Sequence, residues 1–150
     1  IPPSQREADI LKVKSLTDAN FGVNFHMYQP NAAEIVDLVI KHKVKAVSYS
    51  RSPGKDMVGK LKDAGVICMP TIGLPKHAIK AVEMGADAVT VQGGEGGGHT
   101  GDVGSIVLWP EVIEAIDRYL AFFLLLIAAG NDDNKKRKPK GENRGKAAPD

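Results

Sequence analysis

The residues best suited to chemistry lie together in one run, Gln92-Gly93-Gly94-Glu95-Gly96-Gly97-Gly98-His99-Thr100-Gly101-Asp102. A histidine has an ordinary pKa close to neutrality, so His99 is the natural group for accepting and returning a proton. The glycines around it let the backbone approach a ligand and turn through positive φ without steric cost. Gln92 opens the run with an amide that both donates and accepts. Glu95 reads in two ways, as an acceptor for loop amides or as a second acid–base group. Ser48 and Thr71 fall at strand ends facing the presumed site, Asn24 reads as a residue that caps or satisfies a strand end, and His26, His42 and His77 read as surface or satisfied core residues.

Common glycine motifs do not account for the run. Gly96, Gly98 and Gly101 satisfy G-x-G-x-x-G, but a dinucleotide fingerprint opens a helix directly, and residues 102–109 do not read as helix. A phosphate-binding P-loop requires Lys and then Ser or Thr after its second glycine, whereas Gly101 is followed by Asp102 and Val103. Glu95, His99 and Asp102 do not make a metal site, because the intervening glycines disfavour a helical i, i+4 ligand pair.

The elements that must position this loop form a repeat. Apolar runs at residues 21–25, 45–49, 66–71 and 87–92 start 24, 21 and 21 residues apart. Rich in Val and Ile, they predict parallel strands covered on both faces. Between them, residues 32–42 place Ile35, Leu38, Val39 and His42 on one helical face, and residues 54–64 do the same with Met57, Val58 and Leu61. A third helix is predicted over 75–84, with Pro75 at its first turn. Gly65 and Gly85 stand where a left-handed helix C-cap is needed. Beyond Trp109-Pro110 a fifth helix over 111–119 and a fifth strand over 120–129 are predicted. Alternating strands and helices with short connectors give an α/β fold. The glycine loop leaves the C-terminal end of its strand, the edge at which α/β proteins place ligands.

Composition narrows the function classes. Apolar residues are 43% and charged residues 25% of the 150, an ordinary globular balance, though a complete eight-unit barrel needs about 250 residues. The net charge of +2 hides an excess of three positive charges in residues 131–150, which leaves the first 130 residues at −1. The body therefore lacks the basic surface of a nucleic-acid reader. Cys68 is the sole cysteine, so no internal disulfide forms, and the expectation is a reducing cytoplasm. The longest apolar stretch, 119–129, is about half the ~20 residues of a membrane span. Residues 131–150 have almost no large apolar side chain and are expected to form a charged, disordered tail.

Read whole, E-G-G-G-H-T-G resembles the Q-G-x-E-A-G-G-H-x-G signature of the nitronate monooxygenase family, with Gly96 in place of its alanine. Phe21-Gly22-Val23-Asn24 is similar to the family's third-strand F-G-V-N segment, and residues 66–73 to its fifth-strand V-I-P-S/T-x-G segment. The resemblance covers roughly residues 10–118. It implies a (β/α)8 TIM-barrel type fold of which about half, family strands 3 to 7, is present, as a partial barrel domain over 1–130. It implies FMN as cofactor, with Asn24, Gln92, Gly97 and Gly98 as cofactor-binding residues. It also implies His99 as the base that removes the α-proton of a nitroalkane or orients a nitronate, with O2 as co-substrate.

Two segments depart from the family. Its first two strands have no counterpart here, and Ile127-Ala128-Ala129-Gly130 only partly matches the seventh-strand A-A/S-G-G-I segment, since Asn131 replaces the second glycine. The phosphate is normally held at that strand and after the eighth. Three readings stand together: an FMN-dependent nitronate monooxygenase, a flavin-dependent enoyl-acyl-carrier-protein reductase using NADH, or a truncated, non-catalytic flavin-binding fragment. An open half-barrel leaves sheet edges that favour self-association.

Overall fold

The computed structural model describes residues 1–50, 54–96 and 101–136, with the backbone alone from 122 to 136. The order is α1 (Pro3–Leu16), β1 (Gly22–His26), α2 (Ala32–Lys41), β2 (Ala46–Ser50), α3 (Lys55–Asp63), β3 (Ile67–Ile72), α4 (Pro75–Glu83), β4 (Thr90–Val91) and α5 (Ser105–Lys136). The four strands form one parallel sheet in the order β1-β2-β3-β4, with β1 and β4 at its edges. Residues Ile1–Asp117 make one compact unit, and α5 from Arg118 onward belongs to a second.

Strict sequential order separates a barrel-type sheet from a doubly wound one, whose strand order reverses at a switch point. Helix placement agrees. Val23, Phe25, Val47, Tyr49 and Cys68 pack in one cluster with Ile35, Val36 and Val39 of α2 and Val58 and Leu61 of α3. Ile72 packs in a second cluster with Ala78 of α4 and Leu108 and Val112 of α5. The helices thus cover one face of the sheet, that of the odd residues in β1 and β2 and the even residues in β3. Among the described residues of this unit, no helix packs on the other face. The sequence predicts strands covered on both faces, and the structure corrects this: burial alternates strictly along β1 and β2. The sheet forms part of a (β/α)-barrel, and its uncovered face corresponds to the lumen.

Each of the first three strands starts one residue later than its apolar run suggests. The fourth is shorter than expected, and the cause lies in its neighbour. Backbone groups of Cys68, Pro70 and Ile72 face β4, as the bonds from Asp87 N to Cys68 O and from Gln92 N to Ile72 O, both 2.9 Å, establish. Cys68 gives its N–H to the Asp87 carboxylate at 2.8 Å, and Pro70 has none to give. Regular pairing of β3 with β4 is therefore confined to Thr71↔Thr90 and Ile72↔Val91. Asp87 also pairs with Lys62. The Cys68 backbone N–H and then Lys62 hold its carboxyl below the usual aspartate range.

Residues 120–129, expected as a strand, lie within the helix α5, and so does the seventh-strand-like segment 127–130. The run is mostly Leu, Ala and Phe with one β-branched residue, so helix propensity prevails over an apolar pattern that resembles a buried strand. The helix also begins at Ser105, earlier than expected, and carries Pro110 inside it. Its second-turn position removes a single backbone hydrogen bond. The sequence reading assigned no element to α1. Ile10 is its one buried residue, so no apolar stripe marks it. Glu7 joins it to α2 by accepting from Lys41 and His42 at 2.8 Å each.

The three helix-to-strand joints share one geometry. Gly65 at φ 71° and Gly85 at φ 88° take the expected left-handed cap, and Lys43 at φ 51° takes it between α2 and β2. At each, the next residue's N–H reaches back to a helical carbonyl at 3.0 Å: Val44 to Val39, Val66 to Leu61 and Ala86 to Ala81. A side chain in this region costs about 1 kcal/mol relative to glycine. Lys43→Gly should therefore raise unfolding stability by about 0.5–1 kcal/mol, read as a higher denaturant midpoint at unchanged slope. A lower midpoint would contradict the strain at this joint.

Candidate functional site

The site is built on the open face. Because side chains alternate, Asn24 and His26 of β1, Ser48 and Ser50 of β2, and Met69 and Thr71 of β3 share that face. Register sets Asn24 beside Ser48 and Met69, and His26 beside Ser50 and Thr71, with Thr90 next in the same row. The second row lies at the C-terminal ends of the strands, and Gln92 continues from β4 into the glycine loop. Polar side chains dominate because, among the described residues of this unit, no helix packs on them.

Asn24 is held in place. Its Nδ2 donates to Ser48 Oγ at 2.7 Å and to Ser48 O at 3.3 Å, which commits the donor half of the amide to the sheet. Its Oδ1 remains the acceptor half. The Gln92 backbone N–H is fixed to Ile72 O at 2.9 Å. Gly96 lies against the Gln92 amide: a Cβ there would come within 2.6 Å of Gln92 Nε2. A Cβ on Gly101 would sit 3.3 Å from Gly73 O, so the end of β3 and the far side of the loop also approach backbone to backbone. A Cβ at Gly96 would displace only the flexible end of Gln92, whereas at Gly101 the Gly73 carbonyl would have to give by a few tenths of an ångström.

Glu95 resolves into the structural acceptor. Each of its carboxylate oxygens accepts the Ser105 N–H at 2.9 Å, and Oε2 accepts the Ser105 hydroxyl at 2.8 Å. The loop is thereby clasped to the first turn of α5, where unpaired N–H groups and the helix dipole favour a negative charge. A Cβ on Gly93 would collide with Ser105 N and Oγ, so that glycine makes room for the clasp. Glu95's own backbone N–H, then Ser105's backbone and hydroxyl, hold its carboxyl below the usual glutamate range. Ser105 was not singled out in the sequence, although a serine ahead of an apolar run is a helix-start signal. Ser50, also missed, bonds to His26.

Gly97, Gly98 and His99 lie outside the described residues. Asn24 and Gln92 come to the same face, on β1 and directly after β4. Among the other histidines, His42 binds Glu7 away from this face, and His26 lies on it. Cys68 is buried on the helix side, and burial pushes its thiol up to about 11, which suits a packing residue. Among the described residues, no group of His, Cys, Asp and Glu is arranged to hold a metal, and no helix is long and apolar enough to cross a membrane. A cavity of about 350 Å³ at the opposite ends of the strands, lined by Lys14, Thr17, Asn20, Lys43 and Lys45 among others, contains none of the site residues.

These features define one class: a parallel, singly wound (β/α) sheet of barrel type with a polar inner face and a glycine loop at its C-terminal edge. The nitronate monooxygenase family profile matches residues 32–134, and the chain belongs to that family. It is 46% identical over 114 residues to the (3aS,4S,5R,7aS)-5-hydroxy-7a-methyl-1-oxo-octahydro-1H-indene-4-carboxyl-CoA dehydrogenase of Rhodococcus jostii (strain RHA1), a match covering 76% of this chain and 32% of that protein. It is 36% identical over 91 residues to a probable nitronate monooxygenase of Bacillus subtilis (strain 168), covering 54% of this chain and 26% of that protein. Among solved structures, FabK from Thermotoga maritima superposes with a TM-score of 0.73 at 30% identity, over 77% of this chain and 37% of FabK. The chain spans about a third of the length of the curated relatives it matches.

The clasp yields a prediction. Its acceptor carboxyl is held low, so the interaction is present above the ordinary glutamate pKa and is lost only as the pH falls below that range. Glu95→Gln should increase proteolytic cleavage between residues 93 and 105 at pH 7, and Ser105→Ala should do so more weakly. Wild-type cleavage should stay flat from pH 6 to 8. Equal cleavage of Glu95→Gln and wild type would remove the clasp from the account.

Proposed function

We propose that this chain is part of an FMN-dependent oxidoreductase that breaks a carbon–hydrogen bond next to an electron-withdrawing group, with His99 as the base. The observation that carries this reading is that Asn24 and Ser48 stand side by side on the uncovered face of the sheet, with Gln92 directly after β4, where the glycine loop departs. The described residues fit a flavin ring system. Its edge mixes donors and acceptors, and here two amides and neighbouring hydroxyls meet it, with Gly96 and Gly101 allowing close backbone approach. Asn24 and Gln92 would hold the ring edge, and Gly97 and Gly98 would approach it from the loop. A bound flavin supplies the two-electron acceptor. His99 takes the α-proton, a task suited to imidazole, whose ordinary pKa lies close to neutrality.

Relatives at 45–46% identity act on a carboxyl-CoA compound. A thioester acidifies the hydrogen on its neighbouring carbon, as a nitro group does, so one base serves either substrate. Dehydrogenation of a saturated carboxyl-CoA is the first reading. Enoyl-thioester reduction with NADH is the same hydrogen transfer run backwards. Oxidation of a nitronate or nitroalkane with O2 is the second reading, favoured by the E-G-G-G-H-T-G loop and by relatives such as that of Bacillus subtilis.

The test uses the purified full chain. Its visible spectrum, recorded with and without added FMN, should show bound flavin. Flavin bleaching by a saturated alicyclic carboxyl-CoA, or oxygen uptake with propionate 3-nitronate, then separates the two substrate classes. His99→Asn should lower turnover by about 10²–10⁴-fold while flavin stays bound. Unchanged turnover would refute the base assignment, and a colourless chain that takes up no FMN would identify a non-catalytic fragment.

A further inference from the structure

His26 reads in the sequence as a surface or satisfied histidine, and the structure shows it exposed and hydrogen-bonded to Ser50. It lies on the open face two residues beyond Asn24, so its Cα is about 6.5 Å further toward the C-terminal edge. If Asn24 meets the flavin, as the proposed function holds, His26 lies one side-chain layer above it, at the depth of a substrate. Its ring is held from two sides. Nδ1 is hydrogen-bonded to Ser50 Oγ on the neighbouring strand, and the Tyr28 ring packs against it at 5.3 Å between centroids, tilted by 40°. Register continues the row with Thr71 and Thr90.

Removing a proton next to a thioester carbonyl or a nitro group has a defined electronic result. The Cα–H bond breaks, the proton goes to the base, and the electron pair enters a new double bond to Cα. The carbonyl or nitro oxygen then bears the negative charge. Donors fixed at that oxygen before the reaction stabilise this charge with no reorganisation. When the Ser50 hydroxyl donates to Nδ1, the imidazole proton resides on Nε2, which makes His26 such a donor.

We infer that His26, oriented by Ser50, is a catalytic residue that hydrogen-bonds the substrate's carbonyl or nitro oxygen and stabilises the enolate or nitronate charge formed there. This rests on the functional reading above and adds a second catalytic group to it.

The experiment follows proton removal separately from oxidation. The full chain is incubated in D2O with cyclohexanecarboxyl-CoA, and deuterium at Cα is read by mass spectrometry alongside the flavin spectrum. His26→Gln should slow exchange roughly a hundredfold with flavin absorbance and apparent KM little changed. Ser50→Ala, which keeps the imidazole and removes its orienting partner, should fall between that variant and wild type. In ¹⁵N-resolved NMR, the His26 Nε2 resonance should move on adding the thioester, and the shift should shrink in Ser50→Ala. His26→Gln or Ser50→Ala exchanging at the wild-type rate, or an Nε2 resonance that does not respond, overturns the role. Wild type that exchanges but never bleaches its flavin leaves the oxyanion role standing and refutes the dehydrogenase reading. Wild type that does not exchange at all refutes both.

Discussion

Everything in this fold follows from covering a parallel sheet on one side only. Parallel strands must be joined by crossovers, and here the crossover helices all pack against Val23, Phe25, Val47, Tyr49, Cys68 and Ile72. Alternation then assigns each strand's remaining side chains to the opposite face without further choice. That face is free of the demand for apolar packing, so it carries Asn24, His26, Ser48, Ser50 and Thr71 at little cost. The candidate site is thus the complement of the core: the residues that keep the helices in place determine, by parity alone, which residues the opposite face presents.

Most of the architecture was legible because it is local. Val- and Ile-rich runs, helical apolar stripes at Ile35/Val39 and Val58/Leu61, and glycines at 65 and 85 each report on a few neighbouring residues, and each corresponds to an element or a joint. What escaped depends on partners distant in sequence. The shortness of β4 is set by Pro70 and Asp87, which remove the donors that would have extended it. The helical state of 120–129 was hidden because length and apolarity do not distinguish a buried strand from a helix, and leucine and alanine decide it. Lys43 hides a joint of the same form as the two glycine joints, since nothing in lysine's chemistry signals a positive φ.

The site was legible in its loop and less so in its supports. Gln92 and Asn24 were singled out through resemblance, because an amide at a strand carries no local mark of what it binds. Glu95 was visible as a polar residue in a glycine run, but its choice between structure and chemistry required Ser105, ten residues on. His26 and Ser50 were invisible as a pair, because strand register, 24 residues apart in sequence, is what brings them together.

The three joints bear on how tasks are divided between the two rims of the sheet. Each returns the chain from helix to sheet through a left-handed residue and a backward hydrogen bond, which fixes the connector from both ends. Joints of this form all lie at the N-terminal rim. Variation in length and sequence therefore falls to the opposite rim, where the segments that follow the strands are free to differ.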